Sequence, residues 1–417
     1  MLTQFLARRP GFLTVFATVV AFCTYACMYA FRKAYQAADF SESPEMWDLT
    51  YKSVLVIVQV IGYALSKFIG IKVVSEMSPT RRAWTLIGLL GMAGLALLGF
   101  ALVPAPYNWP FLFFNGLPLG MVWGLVFSYL EGRKQTEVMG LGLCASFIFA
   151  SGLVKDVGRW LMGQGVDEFW MPVAVAGIFL LPLLISVFLL NQLPAPSAED
   201  IALRTARVPM TGKSRMAFFR KFAPGLILLI VVYTILTAYR DFRDTFMAEF
   251  WTELRGAGNE VAFSQTEIPV SISVLLLLML LVLVKDNRKA LAINHLAVGM
   301  GLFIAGFSTW AFSQGWISDL WWLGLTGFGT YMAYIPFNSI LFDRLIATVK
   351  QASNVGFLIY VADSFGYLGS VMVLLYKNLA APELSWVAFF FQAGYLLAVV
   401  GVVGTALSGI YFWRKGA

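Results

Sequence analysis

Long apolar runs alternate with short polar segments along the whole chain. A run of roughly 20 apolar residues is long enough for an α-helix to cross the hydrocarbon core of a membrane. The pattern contains twelve such runs and therefore predicts an all-α membrane protein with twelve transmembrane helices. The predicted spans are 11–37, 51–74, 83–104, 110–130, 137–161, 170–191, 223–247, 267–285, 290–313, 319–342, 351–376 and 385–412.

The connecting segments alternate between basic and acidic or neutral. Arg133 and Lys134, for example, lie in one segment, and Asp167 and Glu168 lie in the next. Because Lys and Arg accumulate on the cytoplasmic side of a membrane, we expect both termini in the cytoplasm and the protein in the inner (plasma) membrane. The alternation also supports the number of spans, since one missed helix would disrupt it.

The longest connecting segment, 192–222, is polar and basic. We therefore expect an N-terminal six-helix half at 1–191, a cytoplasmic linker at 192–222 and a C-terminal six-helix half at 223–417. Six spans on each side of a basic linker is the layout of the major facilitator superfamily, whose two halves enclose a site near the middle of the membrane.

The composition excludes a water-soluble globular protein, because 59% of the residues are hydrophobic and only 13% are charged. The net charge of +7 follows the positive-inside bias of the loops, so no nucleic-acid partner is expected. The sequence contains no phosphate-binding loop, no HExxH motif and no CxxC motif, and its three cysteines lie in apolar runs. We expect no enzymatic activity, no metal site and no cofactor.

The end of the first span carries two cations where apolar residues would otherwise be expected. Tyr25, Tyr29 and Arg32 have the spacing i, i+4, i+7 and share one helix face, and Lys33 follows directly. Such a face suits an anion, because guanidinium matches phosphate and carboxylate groups. An Arg inside the membrane costs about 2.5–3.5 kcal/mol on insertion scales unless it faces a cavity or a partner. The alternative is that Arg32 and Lys33 extend to the lipid headgroups.

The seventh span contains four charged residues. Arg240 and Asp244 are four positions apart, so an internal ion pair between them is one expectation. The other is that Arg240 binds a solute as the counterpart of the Arg in the first span. Asp241 and Arg243 lie beside them, and Arg243 is closer to the outer mouth, where it would lock a gate.

The fifth and second spans also carry charges. Asp156 and Arg159 are three positions apart and would pair, which leaves Lys155 to face a cavity or another helix. This arrangement suits a gate on the outer side. Lys67 lies on the cytoplasmic side of the second span, where it would either extend to the headgroups or help to draw an anion through.

Asp363 lies twelve residues into the eleventh span. At the helical rise this is about 18 Å from the start of the span, near the middle of the membrane. An acid at that depth indicates function, and it would either titrate for proton coupling or pair with Arg240 or Lys67. Asn338, in the tenth span, is a candidate neutral hydrogen-bonding partner.

Three stretches resemble the organophosphate:phosphate antiporter family of the major facilitator superfamily, which includes glycerol-3-phosphate and hexose-phosphate transporters. They are 25–33 (YACMYAFRK), 62–68 (GYALSKF), and 356–357 (GF) with 364–371 (SFGYLGSV). The resemblance implies that Arg32 and Arg240 bind a phosphoryl group from the two halves, with help from Tyr25 and Lys67.

Two departures from that family change the expected solute. Ser146 stands where the family has a histidine, and the acids Asp241, Asp244 and Asp363 are additional. Together they lower the positive charge of the site. A zwitterionic phosphorylated or phosphono compound, or an organic anion coupled to protons, therefore fits better than simple phosphate exchange.

These patterns predict an alternating-access secondary transporter of a small anionic or zwitterionic organic solute, such as an organophosphate or phosphonate. It would work by antiport or by proton symport, as a monomer surrounded by membrane lipid. The alternatives are a membrane receptor that keeps the transporter fold and reports the solute to a partner, and a lipid flippase of the same fold.

Overall fold

The computed structural model describes residues 2–75, 77–197, 200, 212–256, 261–351 and 355–415. These residues are mostly helical and contain no β-strand. Eleven helices among them are long and apolar enough to cross a membrane. The tenth predicted span is also helical, at Asp319–Ser339, so the chain is a multi-pass, all-helical membrane protein.

The structure has eight α-helices up to residue 190 and eight more within the described part of the remaining chain. The first group is α1 (Leu2–Ala7), α2 (Pro10–Arg32), α3 (Tyr51–Ser75), α4 (Arg82–Leu102), α5 (Trp109–Leu119), α6 (Val122–Leu130), α7 (Thr136–Gly163) and α8 (Met171–Leu190). The second group is α9 (Gly212–Thr245), α10 (Met247–Arg255), α11 (Phe263–Val282), α12 (Asn287–Ser313), α13 (Asp319–Ser339), α14 (Leu341–Val349), α15 (Val355–Leu375) and α16 (Trp386–Lys415).

The helix ends differ from the predicted spans at positions that matter for the site. The first span was expected to reach residue 37, but α2 ends at Arg32 and is followed by a separate 3₁₀ turn, Ala34–Ala37. The eighth span begins at Phe263 rather than at 267, so its first acidic residue lies inside the helix. Part of the predicted linker, residues 198–199 and 201–211, lies outside the described residues.

One compact unit, called here the first unit, comprises Met1–Arg204, Thr245–Ile268 and Leu374–Pro382. In it α2 packs against α7 and α8, and α3 packs against α5. Where α3 crosses α5, a Cβ atom on Gly116 would lie 2.2 Å from the carbonyl oxygen of Gln59. The two helices therefore touch through their backbones, as small residues allow within membranes.

The second unit comprises Thr205–Asp244, Pro269–Val373 and Glu383–Ala417. Here α12 packs against both α13 and α16. A Cβ atom on Gly301 or on Gly329 would lie 2.4 Å from the carbonyl oxygen of the other glycine, so α12 and α13 also meet through their backbones. The division of the chain into halves at 192–222 stays a prediction.

Candidate functional site

In the first unit, side chains from two neighbouring helices fix the end of α2. The amide nitrogen of Asn115 donates to the carbonyl oxygen of Phe31 at 2.9 Å, and that of Gln59 donates to the carbonyl oxygen of Arg32 at 2.9 Å. Gln59 also donates to the side-chain oxygen of Asn115 at 2.8 Å. The last carbonyl groups of a helix lack partners within the helix, so these bonds allow α2 to end while buried.

Arg32 is the last residue of this helix, and it is only 6% exposed. Its guanidinium carbon lies 3.8 Å from the centroid of the Tyr63 ring. The ammonium nitrogen of Lys67 lies 5.4 Å from the same centroid and 5.8 Å from that of Trp123. The structure thus brings together two of the cations proposed to bind an anion, on a shared aromatic ring.

Tyr25 and Tyr29 lie on α2, and both side chains are buried. Their ring centroids are 5.7 Å apart, and the Tyr25 ring also meets Phe147 of α7 at 5.3 Å. Ser146, next to Phe147, is buried as well, but its hydroxyl donates to the carbonyl oxygen of Leu143 at 2.5 Å. The two tyrosines therefore form an aromatic face with α7, and the Ser146 hydroxyl bonds within its own helix.

A chain of polar contacts leads from Lys33 to an ion pair of a buried lysine in the first unit. Lys33 donates to the side-chain oxygen of Gln36 at 3.1 Å, and Lys52 donates to the backbone oxygen of the same residue at 3.1 Å. Lys52, which is 2% exposed, then pairs with Glu249 of α10 at 2.6 Å. This pair holds α10 against the start of α3.

The predicted ion pair of Asp156 and Arg159 is wrong, because Asp156 instead accepts hydrogen bonds from the backbone of α11. Its two carboxylate oxygens accept the backbone N–H groups of Phe263 and Ser264, at 2.6 and 2.8 Å. These N–H groups belong to the first turn of α11, where no intrahelical acceptor exists, so a carboxylate there is a favourable cap.

Lys155 and Arg159 both approach the ring of Phe263 at that helix start. The guanidinium carbon of Arg159 lies 4.1 Å from the ring centroid, and the ammonium nitrogen of Lys155 lies 5.3 Å from it. The three charges of α7 that were expected to form a gate thus gather at the first turn of α11, within the first unit. Their role in gating stays a prediction.

In the second unit, Arg240 pairs with Asp241 rather than with Asp244. Its Nη2 and Nε atoms lie 2.6 and 3.2 Å from the same carboxylate oxygen of Asp241. The other oxygen of Asp241 accepts the hydroxyl of Ser370 at 2.8 Å. Ser370 therefore fixes Asp241 beside Arg240, which explains why the expected i, i+4 pair does not form. The guanidinium carbon of Arg240 also lies 3.8 Å from the ring centroid of Tyr334.

Asp363 lies on α15 and receives a hydrogen bond from the hydroxyl of Tyr233 at 2.5 Å. The side-chain nitrogen of Asn338 donates to the same hydroxyl at 3.1 Å. The expected pair of Asp363 with Arg240 is not formed, because Arg240 is bound to Asp241. Asp363 and Asn338, both predicted from sequence, are instead joined through a tyrosine.

Arg243 and Asp244 lie at the end of α9 and are both buried. Arg243 donates to the backbone oxygen of Leu323 at 2.7 Å. A Cβ atom on Gly327 would lie 2.6 Å from its Nη2 atom, so the missing side chain leaves the space that Arg243 occupies. This contact fastens α9 to α13, and a gating role of Arg243 and Asp244 stays a prediction.

Several residues of this arrangement were not predicted from the sequence. The rings of Tyr63 and Tyr334 stack against the guanidinium groups of the first and second arginines. Nothing in the sequence distinguishes these two tyrosines from other aromatic residues of the spans. Lys52 could have been identified from the sequence. It lies on the side of the membrane where the connecting segments are acidic, and a Lys there breaks the positive-inside pattern. Glu267 is 3% exposed within α11 and was missed because the span was expected to begin there.

A family model described as "Family of unknown function (DUF5690)" matches residues 34–415. No curated protein matches the chain. Among solved structures, a peptide transporter POT in complex with alafosfalin is 15% identical, with a TM-score of 0.61 over 100% of this chain and 99% of that chain.

Two further structures are similar to the same degree. A D-xylose-proton symporter is 14% identical, with a TM-score of 0.58 over 95% of this chain and 96% of that one. The nucleoside transporter NupG is 14% identical, with a TM-score of 0.60 over 96% and 100%. The predicted all-α major facilitator fold is therefore confirmed, and the narrower resemblance to organophosphate:phosphate antiporters stays a prediction.

Proposed function

The chain belongs to the family of unknown function DUF5690, and we propose that it is a secondary transporter of a small anionic or zwitterionic organic solute. Structures of the same fold belong to sugar, peptide and nucleoside transporters, which supports a small solute. The observation that carries the proposal is Arg32, a buried guanidinium at the end of a membrane-spanning helix, with Lys67 beside the same ring.

The chemistry of these cations favours a phosphorylated or phosphono compound. Guanidinium binds phosphoryl oxygens in pairs and is less strongly hydrated than ammonium, so it suits a partly desolvated site. The second arginine, Arg240, carries its own carboxylate partner, Asp241. A solute with an ammonium group would bring a cation for that carboxylate when its anion binds Arg240. A zwitterion therefore matches both groups better than a simple anion.

Transport follows from alternating access, in which the protein exposes the bound solute first to one side of the membrane and then to the other. Binding alone does not move a solute. The solute must bind the occluded state more tightly than the open states for the exchange to be accelerated. We place the protein in the inner membrane with both termini in the cytoplasm, on the basis of the loop charges.

Counterflow in proteoliposomes tests this function. The full chain is reconstituted, loaded with unlabelled compound and exposed to the labelled form of glycerol 3-phosphate, 2-aminoethylphosphonate or neutral glycerol. We expect exchange of a phosphoryl or phosphono compound, fastest for the zwitterion, and none of glycerol. Arg32→Gln should abolish the exchange, whereas Arg81→Gln, which removes the same charge from an exposed position, should not.

Two results would contradict the proposal. Exchange of glycerol without exchange of either charged compound would overturn the solute class. Thermal stabilisation by a charged compound without any exchange would indicate a receptor instead, because binding to the folded state raises stability whether or not transport follows.

A further inference from the structure

Three helices of the second unit are linked by hydrogen bonds around Asp363, which is 4% exposed. Tyr233 of α9 donates its hydroxyl to this carboxylate at 2.5 Å. Asn338 of α13 donates to the tyrosine oxygen at 3.1 Å, so the phenol proton is directed at Asp363. The acid therefore has a fixed donor and a defined orientation in the interior of the spans.

A buried carboxylate in a membrane protein has two stable forms. As an anion it needs donors or a cation, because an isolated charge is costly in a medium of low polarity, and otherwise it takes up a proton. The phenol of Tyr233 serves the anion as a donor, and it can accept a hydrogen bond from the neutral acid instead. The site is thus built to hold Asp363 with or without a proton.

We propose that Asp363 binds the proton that drives solute transport, an inference that rests on the transport function proposed above. One proton from the outer side joins a carboxylate oxygen to form the neutral acid, and the same proton is released on the cytoplasmic side. No other bond forms or breaks, and Tyr233 keeps its own proton throughout.

Two stacked rings join this acid to the second arginine. The ring centroids of Tyr233 and Tyr334 are 5.3 Å apart, with an angle of 20° between the planes. The guanidinium carbon of Arg240 lies 3.8 Å from the Tyr334 centroid. The charge of Asp363 therefore acts on Arg240 across aromatic side chains, which screen a charge far less than bulk water does.

Several polar groups surround Asp363 and Arg240. On α9 they are Tyr233 and Asp241, on α13 they are Tyr331, Tyr334 and Asn338, and on α15 itself they are Tyr367 and Ser370. With Asp363 ionised, the guanidinium of Arg240 faces two carboxylates, and a solute anion is repelled. With Asp363 protonated, the cation faces one carboxylate, and the anion binds more readily. Proton and solute anion should therefore bind together, each favouring the other.

Infrared titration tests the proton site without any solute. The detergent-purified full chain is titrated, and the carbonyl band of a protonated carboxylic acid is followed in difference spectra. We expect one band that disappears in Asp363→Asn and remains in Glu383→Gln, which removes an exposed acid of the same unit. A set of bands unchanged in Asp363→Asn would overturn the proposal.

Tyr233→Phe keeps the inference testable if Asp363→Asn fails to fold. This variant retains the acid but removes its donor, so the Asp363 band should change its frequency. A band of unchanged frequency would contradict the proposal, since the acid would then not be the partner of Tyr233.

Transport separates this inference from the proposed function. In proteoliposomes, Asp363→Asn should lose uptake driven by an inward proton gradient and keep counterflow of 2-aminoethylphosphonate at equal pH. Loss of neither would overturn the proton site while the transport function stands. Absence of counterflow in the unaltered protein would overturn the transport function, and the infrared band would still decide whether Asp363 binds a proton.

Discussion

The guanidinium carbon of Arg32 lies 3.8 Å from the ring centroid of Tyr63. A desolvated contact of this kind is worth about 2 kcal/mol, and a flat guanidinium uses the ring face better than an ammonium does. Arg32→Lys keeps the charge but loses both the stacking and the paired donors. We expect the rate of solute exchange in proteoliposomes to fall roughly tenfold or more.

Variants of Tyr63 separate stacking from charge. Tyr63→Phe retains the ring and should exchange solute at nearly the normal rate, whereas Tyr63→Leu should approach the loss caused by Arg32→Lys. Equal rates for Tyr63→Phe and Tyr63→Leu would show that the ring does not position Arg32.

The sequence was sufficient to predict most of the fold, because membrane length and loop charge leave few arrangements of helices. It was also sufficient to identify Arg32, Lys67, Asn338 and Asp363 as unusual, since each is polar inside an apolar run. In the structure Arg32 and Lys67 lie at one ring, and Asn338 and Asp363 are joined through one hydroxyl.

The partners could not be predicted in the same way. Spacing along a helix suggested Arg240 with Asp244 and Asp156 with Arg159, but the actual partners of Arg240 and Asp156 are fixed by other helices. Asp241 is oriented by Ser370, which lies 129 positions away, and Asp156 caps a helix 107 positions away. A single sequence contains no record of contacts at such separations, whereas i, i+3 and i, i+4 pairs are visible in it.

The ion pair of Lys52 and Glu249 should be a strong determinant of stability. Lys52 is buried, so removal of either partner leaves a charge without compensation, at a cost of about 3–5 kcal/mol. We expect Lys52→Met and Glu249→Gln each to lower the Tm of the detergent-purified protein markedly. The exposed control Lys285→Met should leave the Tm unchanged.

The double variant measures the coupling between the two side chains. The combined loss in Lys52→Met/Glu249→Gln should be clearly smaller than the sum of the single losses, because neither charge is then left alone. Additive losses would show that the two residues contribute independently and that the pair does not hold α10 to α3.

Two glycine substitutions, one at the contact between α3 and α5 and one away from it, should have opposite effects on stability. A Cβ on Gly116 would lie 2.2 Å from a backbone oxygen of α3, which cannot move away as a flexible side chain could. Gly116→Ala should therefore cost about 1–3 kcal/mol, through overpacking. A Cβ on Gly88 of α4 meets nothing within 4 Å, so Gly88→Ala should be neutral or stabilise by up to about 1 kcal/mol. Equal Tm values for both variants would contradict the close contact.

Glu168, in the loop between α7 and α8, predicts a dependence of stability on pH. Burial, followed by the nearby carboxylate of Asp39, raises the pKa of Glu168 above its usual value, although a backbone N–H of Phe40 opposes the shift. The folded protein then binds this proton more tightly than the unfolded chain. Ionisation of Glu168 therefore opposes folding. The stabilising contribution of the protonated side chain is full below the pKa of the unfolded chain, about 4.3, and is lost as the pH rises from there through the raised pKa of the folded protein.

Glu168→Gln removes this charge and should raise the Tm at pH 7, well above the pKa of the unfolded chain. Well below a pH of about 4.3, where the side chain is protonated in both folded and unfolded protein, the increase should vanish. Glu45→Gln, which removes an exposed acid from the segment before α3, serves as the control and should change the Tm little at either pH. An equal gain from Glu168→Gln at both pH values would point to packing of the amide, because no charge repulsion acts on Glu168 once it is protonated.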